Sequence, residues 1–257
     1  MSDSRQSSIG EDDFIVRTLG LGLSNGHVIK GHAHAWGQVV FATRGVMQVD
    51  AGANRWMVPP MRCLWVPSGV EHTIRMIGET WMRTLYLRPD LADRLPSICS
   101  VLNVRQLLSE IILEIVRVKM LSESRPMQVN LANVLIDQLS SSNEITLKIT
   151  MPGDARAARL ANIICEDPAD RTPLRELAKM CGGSPRTLER LFVEQTGLSV
   201  GRWRKQARLM MAIRLLVEGN TVKQAALFSG YESSSSFVAT FKQEMGTTPG
   251  QYIHSLN

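Results

Sequence analysis

Ser184–Gly197 reads SPRTLERLFVEQTG, and Ser229–Ile253 reads SGYESSSSFVATFKQEMGTTPGQYI. Apolar residues recur at helical spacing in both, Leu188, Leu191 and Phe192 in the first and Phe237 and Phe241 in the second. Each stretch follows a short amphipathic segment that closes on glycine. LRELAKMCG (Leu174–Gly182) aligns with VKQAALFSG (Val222–Gly230) at an offset of 48 residues. One residue later the register resumes at 49, matching Leu188 with Phe237, Phe192 with Phe241, Gly197 with Gly246 and Trp203 with Tyr252. The chain therefore repeats one helix, turn, helix unit.

The turn chemistry agrees with that reading. Gly182-Gly183 supplies a positive φ, Ser184 is a good N-cap and Pro185 a good first helical residue. In the second copy Gly230 makes the turn, and the serines at 233–236 supply the cap and first helical turn. With the apolar residues buried, Arg186, Thr187, Glu189 and Arg190 lie on or near the outer face of the first copy's second helix. Such side chains can reach base edges in a major groove, where arginine donates two hydrogen bonds to guanine. The equivalent face of the second copy holds Ser234, Ser235, Val238 and Ala239, which predicts weaker base reading.

Between the copies, 200–218 has a long helical pattern with Arg202, Arg204, Lys205, Arg208 and Arg214. Nineteen residues at 1.5 Å each span roughly 28 Å, close to the ~34 Å between successive major-groove faces. The net charge of +5 is concentrated here: residues 171–214 carry 10 basic against 3 acidic side chains. A local field of that size attracts a polyanion, although charge alone leaves a solvated helical face open.

On these residues 155–257 resembles the double helix-turn-helix domain of the AraC/XylS family of transcription regulators. The resemblance implies one chain with two recognition helices on double-stranded promoter DNA. It places base contacts on Arg186, Glu189 and Arg190 in the first helix and on Ser234, Ser235 and Ala239 in the second. Alanine at 239, where a longer polar side chain is common in the family, puts specific reading by that helix in doubt.

The N-terminal half reads differently. From about Phe14 to Leu87, short apolar stretches alternate with turn residues (GQVVFATRG, VMQVDAG, CLWVPSG), as in an antiparallel barrel or sandwich. His32 and His34 are two apart, so a shared strand would point both to one face, and His72 follows on a later strand. Three imidazoles converging in a small barrel form a candidate divalent metal site, with Gln38 a fourth ligand. This pattern resembles the cupin fold, matched by Gly31, His32, His34, Gln38 and Gly45 and then Pro67, Gly69 and His72. Metal-binding cupins usually carry glutamate where this chain has Gln38, and a neutral amide is the poorer ligand. The alternative is an inherited barrel whose histidines line a pocket or bond across it.

The fold class predicted is thus α+β: a cupin-like antiparallel β-barrel over 14–95, a helical connector and linker over 96–150, and an all-α double helix-turn-helix over 155–257. Within the connector, apolar spacing predicts a helix over 101–119 and a second after Pro126 through Leu139. SSSNEITLKITMPGD (140–154) reads as the linker. The stripe on the first helix can pack on the barrel or pair two chains, so a homodimer is one expectation. Trp36, Trp56, Trp65 and Trp81, with Met47, Met57, Met61, Met76 and Met82, read as barrel core, a ligand pocket being the alternative.

Composition bounds the rest. With 257 residues, 44% hydrophobic and 21% charged, the chain reads as ordinary globular protein of two domains. No apolar run approaches the ~18 residues of a membrane span. The polar start MSDSRQSSIGEDD reads as a loose tail rather than a secretory signal, and four scattered cysteines argue against a disulfide framework. These features predict a cytoplasmic protein. Two functional readings follow. In one, the barrel senses a small molecule or metal and modulates promoter binding; in the other, it is a metal-dependent cupin enzyme of dioxygenase type with a helical appendage. The basic double motif favours the regulator, because catalysis has no need of two groove-reading helices.

Overall fold

A computed structural model describes residues 13–145 and 147–254; most of the N-terminal tail lies outside these described residues. Two long strands organise the first half, β3 (Gly37–Ala51) and β6 (His72–Leu87), which pair antiparallel along most of their length. Around them lie β1 (Phe14–Leu23), β2 (Val28–His32), β4 (Asn54–Val58), β5 (Arg62–Val66), β7 (Ser100–Asn103), β8 (Met120–Ser122) and β9 (Lys148–Thr150). The sheet order is β7-β5-β3-β6-β1-β8, with β2 on β6 and β4 joining β3 to β9.

Strand β3 changes face midway. Register slips on both sides of Arg44, and Gly45 sits there at φ +80, where a Cβ would lie 2.5 Å from the Glu79 carbonyl oxygen. The extra residue inverts the side-chain alternation. Before it Val40 and Ala42 face the interior, and after it Met47 and Val49 do so, with Trp56, Leu64, Ile74, Met76 and Met82. The opposite face of the first half of β3 is also buried. Val39 and Phe41, with Cys63, Trp65, Leu85 and Leu87, pack beneath α2 (Gln106–Val118) and α3 (Pro126–Ser140).

The helical stripe of α2 is therefore consumed within the chain: Leu108, Ile111, Ile112 and Ile115 are buried on the sheet, each worth roughly 1.5–3 kcal/mol relative to exposure. Three expectations change. Val101–Asn103 form strand β7 rather than the start of a helix, since Leu102 pairs with Cys63 of β5 and the helix begins only after the extended Arg105. The presumed linker contains β9, whose Ile149 pairs with Arg55. Trp81 is not core: it is 50% exposed, with Arg83 against its ring. Trp36, half-buried beneath Arg17, and Met61, half-buried at a turn, likewise stand outside the interior filled by Trp56, Met47, Met76 and Met82.

After the short α1 (Pro89–Ala92), the remaining helices are α4 (Ala155–Glu166), α5 (Leu174–Cys181), α6 (Pro185–Thr196), α7 (Val200–Val217), α8 (Val222–Phe228), α9 (Ser234–Met245) and α10 (Pro249–His254). Helix α7 is buried on two sides. Val200, Trp203, Ala207 and Met210 pack with the first motif, while Leu209, Ala212, Ile213 and Leu216 pack with the second. Both clusters also contain sheet residues, so the helical half is docked against the sheet. No helix among the described residues is long and apolar enough to cross a membrane.

Candidate DNA-reading helices and histidine cluster

The first turn is built as its residues dictate. Helix α5 ends at Gly182 (φ +77), and Gly183 N–H donates to the Ala178 carbonyl at 2.9 Å. Ser184 Oγ accepts from Thr187 N–H at 3.1 Å, and Pro185 opens α6. Leu188, Leu191 and Phe192 are buried, Phe192 edge-on to Trp203. Arg186 is exposed and makes no side-chain hydrogen bond or ion pair among the described residues. Arg190 is exposed and paired with Glu194 one turn on, at 2.7 Å. Thr187 is half-buried, its hydroxyl bonded to that of Ser184. Glu189 is engaged elsewhere: its Oε2 accepts from Val200 N–H at 3.1 Å, beside the Ser199 cap of α7.

The second motif repeats the design with tighter constraints. Thr221 and Gln224 form a capping box at α8, and Ser233 and Ser236 another at α9. Gly230 combines a φ of +82 with a close approach, since a Cβ there would lie 2.7 Å from Ala169 Cα and 3.1 Å from Arg208 Nε. Arg208 Nε also donates to the Pro168 carbonyl at 2.8 Å. Thus the loop before α5 is pinned against the turn of the other motif, fixing one reader relative to the other. Phe237, Phe241 and Met245 are buried, and Ser234, Ser235 and Ala239 are exposed.

On α7, Arg202 is exposed. Arg204 is half-buried, and burial first, then neighbouring Arg208, lower its pKa against the pull of Asp170. At 18 residues the helix spans about 27 Å.

The histidines converge as expected, though not from one strand. Strand β2 ends at His32, which pairs in register with His72 on β6, and His34 follows on the connecting segment. Ring centroids are 4.4 Å apart for His32 and His72, 5.4 Å for His34 and His72, and 5.8 Å for His32 and His34. One ligand atom from each lies within 4.8 Å of the others. Each Nδ1 meets a backbone carbonyl: His32 that of Lys30 at 2.8 Å, His34 that of Trp36 at 2.5 Å, His72 that of Val70 at 2.9 Å. Carbonyls only accept, so each Nδ1 carries a proton, and in the neutral ring Nε2 then keeps its lone pair.

Sequence reasoning missed two neighbours of the cluster. Gln38 Nε2 donates to Thr84 Oγ1 at 2.9 Å and to the Tyr86 hydroxyl at 3.3 Å, so its Oε1 faces His34 Nε2 at 3.0 Å. With His34 neutral two acceptors face one another, which a shared cation satisfies; a proton on Nε2 satisfies the same contact as a hydrogen bond. His72 Nε2 is buried with no partner among the described residues. Burial is the main reason the His72 pKa is lowered, with His32 and His34 adding to it against the Val70 bond. Three imidazoles held through Nδ1 can offer Nε2 to a borderline divalent ion. Thr84 and Tyr86 were legible in principle, since Tyr86 lies opposite Gln38 and Thr84 opposite Val40.

Residues 22–148 match the model of an AraC-like ligand binding domain, and residues 177–255 that of a helix-turn-helix domain. The HTH-type transcriptional regulator NimR of Escherichia coli is 32% identical over 225 residues, 88% of this chain and 82% of NimR. The regulator RipA of Corynebacterium glutamicum is 33% identical over 102 residues, covering 40% of this chain and 31% of RipA. A crystal structure of ToxT from Vibrio cholerae aligns over 93% of this chain and 98% of its own, at 14% identity and a TM-score of 0.40. The chain belongs to the AraC family of transcription regulators, with a ligand-binding domain ahead of a helix-turn-helix DNA-binding domain.

Proposed function

We propose that one chain reads two successive major grooves of duplex DNA with α6 and α9, held apart by α7, and that the sheet adjusts this reading when it binds a small-molecule effector. Residues 14–95 are the sensor, 96–150 the connector and 155–257 the reader. The observation that carries the reading is that α6 and α9 bury their apolar residues with α7 and leave corresponding faces open, Arg186 and Arg190 on one, Ser234, Ser235 and Ala239 on the other. Arg186, unpaired in the free chain, donates to a guanine edge. Arg190 joins it by leaving Glu194, an exposed ion pair of small worth. Thr187 supports the first turn of α6, and Arg202 and Arg204 face the phosphates. The α9 face reads through hydroxyls and the Ala239 methyl.

The histidine cluster is read as a divalent metal site held by Nε2 of His32, His34 and His72, with Gln38 Oε1 beside them. A bound ion supplies a positive centre that an oxygen-bearing effector can join. The chain is read as a cytoplasmic regulator rather than an enzyme because the relatives it matches are transcription regulators. Self-association has the exposed Leu107 of α2 and Met127 and Val134 of α3 available; sedimentation at micromolar concentration showing monomer alone removes that element.

Titration of labelled duplex, selected from a random library by the full chain, tests the reading. Affinity should fall steeply and linearly in log salt, as phosphate contacts require. Absence of any salt-dependent duplex binding overturns it.

A further inference from the structure

Strand β5 has the histidine cluster at one end and the second reading helix at the other. All five of its residues are buried, and it spans about 13 Å from Arg62 to Val66. At the far end Val66 pairs with Gln38. The turn that follows touches two of the three histidines: Gly69 N–H donates to the His34 carbonyl at 2.9 Å, and the Val70 carbonyl holds His72 Nδ1 at 2.9 Å.

The near end is unusual. Met61 adopts φ +60, a left-handed conformation that a side chain resists. Arg62, only 5% exposed, donates from Nη1 to the Met61 carbonyl at 2.7 Å and to Asn103 Oδ1 at 2.8 Å, and from Nη2 to the Met245 carbonyl at 3.3 Å. Met245 is the last residue of α9. Among the described residues Arg62 Nε has no partner, and no carboxylate forms an ion pair with this guanidinium. Beside it the Tyr252 hydroxyl donates to the Pro60 carbonyl at 3.4 Å. A buried cation without a counter-charge is costly unless its surroundings hold it, and here the negative end of the α9 dipole is part of what holds it. A small axial shift of β5 breaks that contact. The sheet therefore grips the very end of the second reader through the desolvated Arg62, which follows the strained Met61.

We propose that β5 couples the histidine cluster to the second reading helix, and that Arg62 is the positioning residue through which it does so. This rests on α9 being a DNA-reading helix. The second reader, whose face carries Ser234, Ser235 and Ala239 with Lys242 as its one basic residue, depends more on being held in place than the arginine-bearing first.

The test uses the full chain and a duplex that the wild type selects from a random library. Loss of base discrimination in Arg190→Ala identifies the half-site read by α6. Scrambling the other half should weaken wild-type binding about tenfold or more. In Arg62→Met most of that penalty should vanish while the first-half penalty is unchanged, and Arg62→Lys, which keeps the charge without the fork, should lie between. His72→Ala should also reduce the second-half penalty, but should add nothing in the Arg62→Met background. The proposal is overturned if Arg62→Met and Arg62→Lys both keep the second-half penalty, if both halves lose theirs together, or if the His72 and Arg62 effects simply add. Where circular dichroism shows Arg62→Met unfolded, Arg62→Lys and its double with His72→Ala decide. A wild type that selects only one half-site, or no duplex, overturns the reading of α9 itself and the proposal with it.

Discussion

Glu189, on the helix expected to read bases, instead receives the backbone N–H of Val200 at 3.1 Å and so caps the helix that joins the two motifs. The first reader and the connecting rod are thereby fixed to each other at the first turn of α7. Glu189→Ala should cost about 1 kcal/mol of stability, the usual worth of a cap, and leave base preference in the α6 half-site unaltered. Urea unfolding and a panel of single-base variants check this. Altered preference with undiminished stability assigns Glu189 to the bases, as the family resemblance implied.

Two glycines that look alike in sequence should respond differently. Gly182 needs only its positive φ, the nearest atom to an added Cβ being Arg159 Nη2 at 3.8 Å, so Gly182→Ala should cost about 1 kcal/mol. Gly230→Ala also drives a Cβ into the backbone at Ala169 and should cost about 2–4 kcal/mol. Equal losses in denaturant midpoint would contradict the pinning of the two motifs.

The three converging Nε2 atoms should bind zinc. At about a hundredfold excess of zinc over its dissociation constant, the folded chain gains about 2.7 kcal/mol, visible as a raised Tm that a chelator reverses. His72→Ala and His34→Ala should abolish the shift, and Gln38→Glu should enlarge it by supplying a carboxylate. A Tm indifferent to zinc in the wild type, with no metal found by elemental analysis, removes the site.

What was legible in the sequence was what neighbouring residues decide. Ser184 and Pro185 specify the start of α6 through contacts within four residues, and Gly182 specifies the end of α5 by its own φ. The repeat made the second motif readable from the first. Short apolar runs were ambiguous: SVLN becomes a strand only because β5 offers an unpaired edge, and β9 only because β4 does. Trp81 read as core because its face of β6 is covered at Leu85 and Leu87 by α2 and α3, and only the fold shows that this cover stops short of Trp81. The Arg62 contact with Met245 joins residues 183 apart and has no local signal. The histidines were found by spacing, yet the proton positions that make them ligands come from three carbonyls supplied by the fold.

Arg190 and Arg202 should separate two kinds of contact. Arg190→Ala should lose about 1–3 kcal/mol of discrimination at one base pair, whereas Arg202→Ala should weaken every duplex alike and lower the salt slope by about one. Uniform loss in both would make Arg190 a phosphate contact.

The most direct measurement is a hydroxyl-radical footprint of the full chain, at a single bound copy, on its selected duplex. Two protected patches on one face of the DNA, about 10 base pairs apart, are the expected result. One patch alone, or two on opposite faces, would contradict a single chain reading successive grooves with α6 and α9.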